Sequence, residues 1–247
     1  MHGKRRDHLE PVFEEVLQAG CAAMGLDVEE AAIRQMAQYA QMVRAQNKVM
    51  NLTAITAPEE MARLHFLDSL ALCSAAPLMG KRIVDVGTGA GFPGLPLKIA
   101  DPSISLTLLD SQRKRVSFLE NVVKALELED VSCVHGRAEE MGKEAGVRAS
   151  FDCAVSRAVA DLRLLLELCL PLVKVGGVFL AMKSIHCEEE VSMARGAIEA
   201  LGGKLCAPYV YTLPGTDVQR QILVIEKERS TPKQFPRRFA KMQKEPL

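Results

Sequence analysis

The sequence predicts an α/β fold, a doubly wound and mostly parallel sheet of seven strands with an antiparallel edge strand, preceded by an N-terminal helical cap. Three observations carry this expectation. Short β-branched or apolar runs at 82–86, 105–109, 131–135, 151–155, 177–182, 204–212 and 220–226 alternate, for the most part, with stretches of helical periodicity. The first run ends in an acid followed by three glycines spaced by two, Asp85-Val86-Gly87-Thr88-Gly89-Ala90-Gly91, as where a strand turns sharply into a helix beside a ligand. The first 80 residues, by contrast, carry only helical spacing.

Taken in order, Leu9 to Met24 and Val28 to Val49 read as two amphipathic helices, with Ile33, Met36, Ala37, Ala40 and Val43 on one stripe of the second. Gly25 is the expected stop of the first and Asp27 the expected N-cap of the second. A third helix follows Pro58, includes Met61 to Leu70, and ends before Pro77 and Gly80. Residues 1–80 therefore form the cap and 81–228 the sheet domain. After Asp110, Val116, Leu119, Val122, Val123 and Leu126 share one face of a helix, with Arg113, Lys114, Glu120 and Lys124 on the remainder. The last two strands meet through Pro214-Gly215 without a helix, which predicts an antiparallel pair at the edge. Residues 229–247 are a basic tail.

Lysine plus arginine equals aspartate plus glutamate at 31 each, so only the distribution of charge carries information about partners. Six bases (229, 233, 237, 238, 241 and 244) against one acid (Glu245) fall in the tail, and Lys4-Arg5-Arg6 lies at the other terminus. Phe235 and Phe239 stand among those bases and offer stacking faces for unpaired nucleotides, the alternative being a solvated charged tail. Seven cysteines without a C-x-x-C pair, and a start lacking an apolar signal core, predict reduced thiols in a cytoplasmic protein. The most apolar stretch, Leu162 to Met182, is interrupted by Arg163, Glu167, Pro171, Lys174 and Gly176-Gly177, which argues against a membrane span. His65, His135 and His186 are too scattered for a metal site and read as core or solvated residues; no metal is expected.

The glycine loop departs from the dinucleotide fingerprint at one informative place. That fingerprint needs a glycine three residues after the second, and Phe92 stands there. The spacing Asp-x-Gly-x-Gly-x-Gly instead resembles the first motif of Rossmann-like methyltransferases, which implies S-adenosylmethionine at Gly87, Gly89 and Gly91. Asp110 closes the second strand 19 residues beyond Gly91, where a ribose acceptor is required, and a helix-capping role is compatible with it. Gly136-Arg137-Ala138-Glu139-Glu140 follows the third strand at the ligand-binding edge, so the backbone of Ala138 and Glu139 is a candidate adenine contact, with a capped helix start as the alternative. Ser156-Arg157-Ala158 follows the fourth strand, where substrate-facing residues are expected. No Asn/Asp-Pro-Pro-aromatic tetrad or Pro-Cys pair occupies that edge, and Cys153 falls inside the strand as a core residue, which argues against amino methylation and against a covalent cysteine mechanism.

Together these stretches resemble the RsmG (GidB) family of bacterial small-subunit ribosomal RNA methyltransferases. The resemblance runs through Asn47-x-x-x-Asn51-Leu52-Thr53, Arg63-x-His65-x-Leu67-Asp68-Ser69, Asp85 to Gly94, Leu109-Asp110-Ser111, Lys114-Arg115-x-x-Phe118-Leu119, Ser156-Arg157-Ala158 and Thr231-Pro232-Lys233. Phe92-Pro93-Gly94 and His65-x-Leu67-Asp68-Ser69 are its specific parts. Gln46 departs from it, standing where a tryptophan often precedes the first asparagine.

The resemblance implies a class I methyltransferase fold with cofactor contacts at Gly87, Phe92, Ala138, Glu139 and Arg157, and transfer of a methyl group to N7 of a guanine in 16S rRNA, free or in the small ribosomal subunit or an assembly intermediate. N7 attacks through a lone pair and carries no proton to be removed, so no catalytic acid or base is assigned. Lys183, Lys233, Arg237 and Arg238 are the candidate RNA contacts, Arg157 and Lys183 the candidate orienting residues, and a monomer is expected. Two alternatives stay open: a methyltransferase of the same fold acting on a small molecule or protein, and a non-catalytic RNA-binding relative.

Overall fold

The computed structural model describes residues 9–157 and 160–247; Lys4-Arg5-Arg6 and Ala158 lie outside the described residues. Leu9–Ala23 (α1) and Glu30–Met50 (α2) are the two amphipathic helices of the cap. Gly25 ends the first at φ +68°, where an L side chain would be strained. Asp27 is not the cap of the second. The Glu29 carbonyl accepts the first helical bond, from Ile33 N–H at 3.1 Å, so Glu29 takes the cap position without a side-chain bond.

The third helical stretch comprises Pro58–Met61 (α3), a π-helix over Ala62–Leu67, Asp68–Leu70 (α4) and Leu72–Ala75 (α5). The π-turn matters for the site. Asp68 N–H donates to the carbonyls of Arg63 and His65, which leaves the Leu64 carbonyl without the donor an α-helix would supply.

The strands are Arg82–Val86 (β1), Ser105–Asp110 (β2), Val131–His135 (β3), Phe151–Arg157 (β4), Val173–Ser184 (β5), Gly203–Leu205 (β6), Tyr209–Thr212 (β7) and Gln219–Lys227 (β8). Between them run Gly94–Ala100 (α6), Arg113–Ala125 (α7), Ala138–Met141 (α8), Leu162–Cys169 (α9) and Glu188–Ala200 (α10), and Phe239–Lys244 (α11) closes the chain. The sheet order is β3-β2-β1-β4-β5-β8-β6, with β7 also paired to β8. β1 to β5 pair in parallel, whereas β8 runs antiparallel to β5, β6 and β7.

The expected run 204–212 is thus two short strands on one edge, and the reversed strand lies one position inside that edge. The register explains the break: Leu205 faces Ile225 but Tyr209 faces Ile222, so three residues oppose two, and Pro208 among them has no N–H for the ladder.

Alternation along the strands sorts the core into two layers. Ile83, Leu106, Leu108, Val155 and Leu180 pack with Leu17, Met36, Tyr39, Val43, Phe66, Leu70 and Leu119, so the cap shares one core with the sheet. Val84, Val86, Ala154, Phe179 and Ile225 pack on the other face with Leu165, Leu166, Ala194, Ile198, Phe235 and Met242.

The basic tail is part of that second layer. Arg148 donates to the carbonyls of Gly142 (2.8 Å), Phe235 (2.7 Å), Thr231 (2.8 Å) and Pro232 (3.2 Å), and buried Lys227 donates to the Leu170 carbonyl and the Thr231 hydroxyl. Arg237 forks onto Glu167, with Nη2 to Oε2 at 2.6 Å and Nε to Oε1 at 2.8 Å. The readings of Arg237 as an RNA-facing cation and of Phe235 as a stacking platform are therefore corrected: the first is spent on a buried carboxylate and the second is core. Lys183 is likewise engaged, donating to Glu190 (2.6 Å) and to the Ala160 carbonyl (3.1 Å). Lys233 and Arg238 are exposed.

Candidate active site

The turn after β1 is held from behind by Asp85. Its Oδ2 accepts from the Thr88 hydroxyl (2.7 Å) and from Gly94 N–H (2.9 Å), linking the loop to the start of α6. Burial pushes this carboxyl up to about 6 in spite of those two bonds, and its Oδ1 is buried without a partner among the described residues. Gly87, Gly89 and Gly91 all adopt positive φ, at 73°, 62° and 106°. They serve different ends. A Cβ on Gly91 would lie 2.5 Å from the Tyr39 hydroxyl and from Leu95, so this glycine lets the cap close on the loop. A Cβ on Gly89 would meet nothing within 4 Å among the described residues, so this glycine leaves room on the open side.

That open side is a cavity of about 350 Å³ lined by Leu52, Thr53, His65, Gly87, Thr88, Gly89, Ala90, Phe92, Asp110, Ser111, Arg115 and Arg157, within the size range of small-molecule sites. It lies at the carboxyl ends of β1, β2 and β4, where ligands of open α/β sheets bind. A larger groove of about 720 Å³, lined by Pro77, Leu78, Lys81, Val175 and Gly177 among others, sits at the opposite edge of the sheet, away from the glycine loop.

Asp110 accepts from Gly89 N–H (3.0 Å) through Oδ2 and from Gln112 N–H (2.8 Å) through Oδ1. Loop-holding and turn-capping are thus combined in one side chain that also lines the cavity. Ala138 and Glu139 do not line it. They open α8, with Glu139 3.5 Å from Arg137, and are tied to the site by Gly136 N–H, which donates to the Asp110 carbonyl at 3.1 Å. Ser156 does not face a substrate either; its hydroxyl is buried and donates to the Val86 carbonyl at 2.9 Å, joining β4 to β1.

Phe92 is sandwiched rather than free. Tyr39 and His65 stack on it at centroid distances of 5.2 and 4.7 Å, Phe66 meets it edge-on at 5.2 Å, and the Arg157 guanidinium lies 5.2 Å from its centroid. Arg157 donates from Nη1 to the Leu64 carbonyl (3.1 Å) released by the π-turn and to Asp68 Oδ2 (3.2 Å). Its Nη2 lies 3.2 Å from His65 Nδ1. The Tyr211 hydroxyl donates to Asp68 Oδ1 at 2.7 Å.

A guanidinium can only donate, so His65 Nδ1 accepts and the ring proton sits on Nε2, 2.8 Å from the Thr53 hydroxyl oxygen. Burial first and the Arg157 charge second hold His65 down at about 3, so the ring is neutral. Sequence reasoning left His65 as a core or solvated histidine and gave no chemical role to Tyr39, Thr53, Asp68 or Tyr211. The available signal was the spacing of His65, Asp68 and Ser69, at i, i+3 and i+4, which puts them on one helical face.

An α/β sheet with this strand order, a glycine loop after β1 and an acid closing β2 define a class I methyltransferase. Solved structures of that class share the fold: a SAM-dependent methyltransferase from Aquifex aeolicus, at TM-score 0.51 and 17% identity over 68% of this chain and 93% of that one, and M. jannaschii TYW2 in complex with AdoMet, at TM-score 0.51 and 15% identity over 65% and 74%. The chain belongs to the GidB family, rRNA small subunit methyltransferase G, whose model matches residues 32–212. Relatives named ribosomal RNA small subunit methyltransferase G are 46% identical in Alkaliphilus metalliredigens, over 94% of this chain and 98% of the relative, and 42% identical in Clostridium botulinum strain Loch Maree, over 95% and 99%.

Proposed function

We propose that the protein transfers a methyl group from S-adenosylmethionine to N7 of a guanine in small-subunit rRNA. The observation that carries this reading is that Thr53, His65, the glycine loop with Phe92, Asp110 and Arg157, far apart in sequence, converge on one cavity. The residues fit the cofactor: Gly89 leaves space where a side chain would intrude, and Asp110 presents a buried carboxylate at the end of β2. When bound, S-adenosylmethionine supplies an electrophilic methyl group on a sulfonium sulfur.

The chain's own residues bind and orient. Gly87, Gly89 and Gly91 set the loop, Asp110 holds the nucleoside end, with the segment at Ala138 and Glu139 outside the cavity wall and tied to it through the bond from Gly136 N–H to the Asp110 carbonyl, and Phe92 with Arg157 closes the other end. No residue needs to remove a proton from N7. Rate enhancement comes from holding the nucleophile in line and excluding water. Lys233 and Arg238, exposed on the packed tail, are the RNA contacts best supported by the geometry. The cavity is complete within one chain, which suits a monomer. No helix among the described residues is long and apolar enough to cross a membrane, and no group of three or more His, Cys, Asp and Glu among them could hold a metal ion.

Incubation with methyl-labelled cofactor and undermethylated small subunits tests the reading. Label at N7 of one guanine is expected. Label in protein or small molecules but not in RNA would overturn it.

A further inference from the structure

The hydrogen-bond bookkeeping at Thr53 has a forced outcome. The Thr53 oxygen accepts from Ile55 N–H at 3.0 Å and from His65 Nε2–H at 2.8 Å, so both of its lone pairs are occupied. The Thr53 N–H is itself committed to Asn47 Oδ1 at 2.8 Å. Of the Thr53 side chain, only the hydroxyl proton is then left without a partner among the described residues, and Thr53 is half-buried in the cavity wall beside His65 and Phe92.

His65 cannot reverse this polarity. Its Nδ1 is fixed as an acceptor by Arg157, and Arg157 is fixed in turn by Asp68 and the Leu64 carbonyl. The chain of contacts thus presets the Thr53 hydroxyl as a donor and leaves it no acceptor function.

We infer that Thr53 selects guanine, resting on the functional reading above, by donating its hydroxyl proton to O6 of the base to be methylated. The chemistry of the purine edge makes a fixed donor selective. Guanine presents N7 and O6, both acceptors, whereas adenine places an amino donor beside N7. A hydroxyl that can only donate therefore pairs with guanine and faces another donor in adenine. That arrangement rejects the wrong base far better than shape alone, because the mismatch leaves two donors opposed.

The test is a cycle of two changes, Thr53→Val in the protein and 2-aminopurine, which keeps N7 but lacks O6, in place of the target guanine in reconstituted small subunits. Each single change lowers kcat/KM about tenfold, the worth of one hydrogen bond, while the double change costs no more than either alone. Thr53→Ser, which keeps the hydroxyl, restores wild-type rates and base preference, whereas Thr53→Val levels the guanine and 2-aminopurine rates whatever its effect on cofactor affinity. Losses that multiply in the double change, a Thr53→Val rate within about twofold of wild type on guanine, or a Thr53→Ser variant that fails to recover the preference for guanine would each overturn the inference. A wild-type protein that labels no guanine N7 would instead overturn the functional reading on which it rests.

Discussion

Replacing Arg237 with alanine separates two roles that its position in a basic tail confounds. Glu167 has 1% of its side chain exposed and Arg237 16%, and the pair is held at 2.6 Å with a further bond from Arg237 N–H to Glu167 Oε1 at 2.7 Å. Removing the guanidinium leaves a carboxylate buried without its countercharge, which costs about 3–5 kcal/mol. For a chain of this size each kcal/mol shifts Tm by roughly 2–4 °C, so a fall of about 6–20 °C is expected. Thermal unfolding by circular dichroism measures it, alongside the double variant Arg237→Met with Glu167→Leu, which removes both charges and should recover most of the loss. The RNA-binding salt slope of the double variant should match wild type. A single variant as stable as wild type, or a double variant whose salt slope falls by about the 0.7–0.9 due to one phosphate contact, would refute the structural assignment.

Three further outcomes follow from the same geometry. Gly91→Ala puts a methyl group 2.5 Å from the Tyr39 hydroxyl at φ 106° and should lower both Tm and cofactor affinity, whereas Gly89→Val, facing open space at φ 62°, should abolish calorimetric cofactor binding with a smaller fall in Tm. Lys227 is held down at about 7 by burial first and by Arg148 second. The unfolded chain therefore binds the extra proton between pH 7 and 10.5, and stability should rise with pH across that window by up to about 1.4 kcal/mol per unit; in urea titrations Lys227→Met should flatten the slope. Lys233→Gln with Arg238→Gln should weaken RNA binding and reduce its salt slope by about two contacts' worth while leaving Tm unchanged, and an unaltered slope would remove the tail from the RNA interface.

The sheet and its glycine loop were legible because they are written in local patterns. β1 to β5 begin or end within a few residues of their apolar runs, and the positive φ of Gly87, Gly89 and Gly91 is what three glycines at alternate positions announce. The break between β6 and β7 was signalled only by Pro208, and the displacement of β8 inward depends on which neighbour pairs with which, a nonlocal matter. The wall of the site was least legible. His65 and Asp68 meet Arg157 from about 90 residues away in sequence, Tyr211 reaches Asp68 from the far edge of the sheet, and the carbonyl that anchors Arg157 exists only because a π-turn releases it. The tail misled for a related reason: six bases in 19 residues look solvated until the buried Glu167, placed by α9, claims one of them.

The charges around the cavity suit a reaction that consumes one cation and produces another. Arg115 is paired with Asp110 at 3.4 Å and Arg157 with Asp68 at 3.2 Å, so neither stands in the wall as a bare positive charge. His65 is neutral, and Asp85, pushed up to about 6, is ionised at neutral pH behind the loop. The balance is two arginines against three carboxylates, a slightly negative field for a sulfonium and for the N7-methylated base alike. Asp68→Asn, which removes one negative charge behind Arg157, should therefore weaken S-adenosylmethionine severalfold more than the neutral thioether product S-adenosylhomocysteine. Calorimetry with both ligands reads the difference directly. Equal weakening of the two would mean that Asp68 acts only by positioning Arg157 and Tyr211, and that the field contributes nothing to the choice of a charged cofactor.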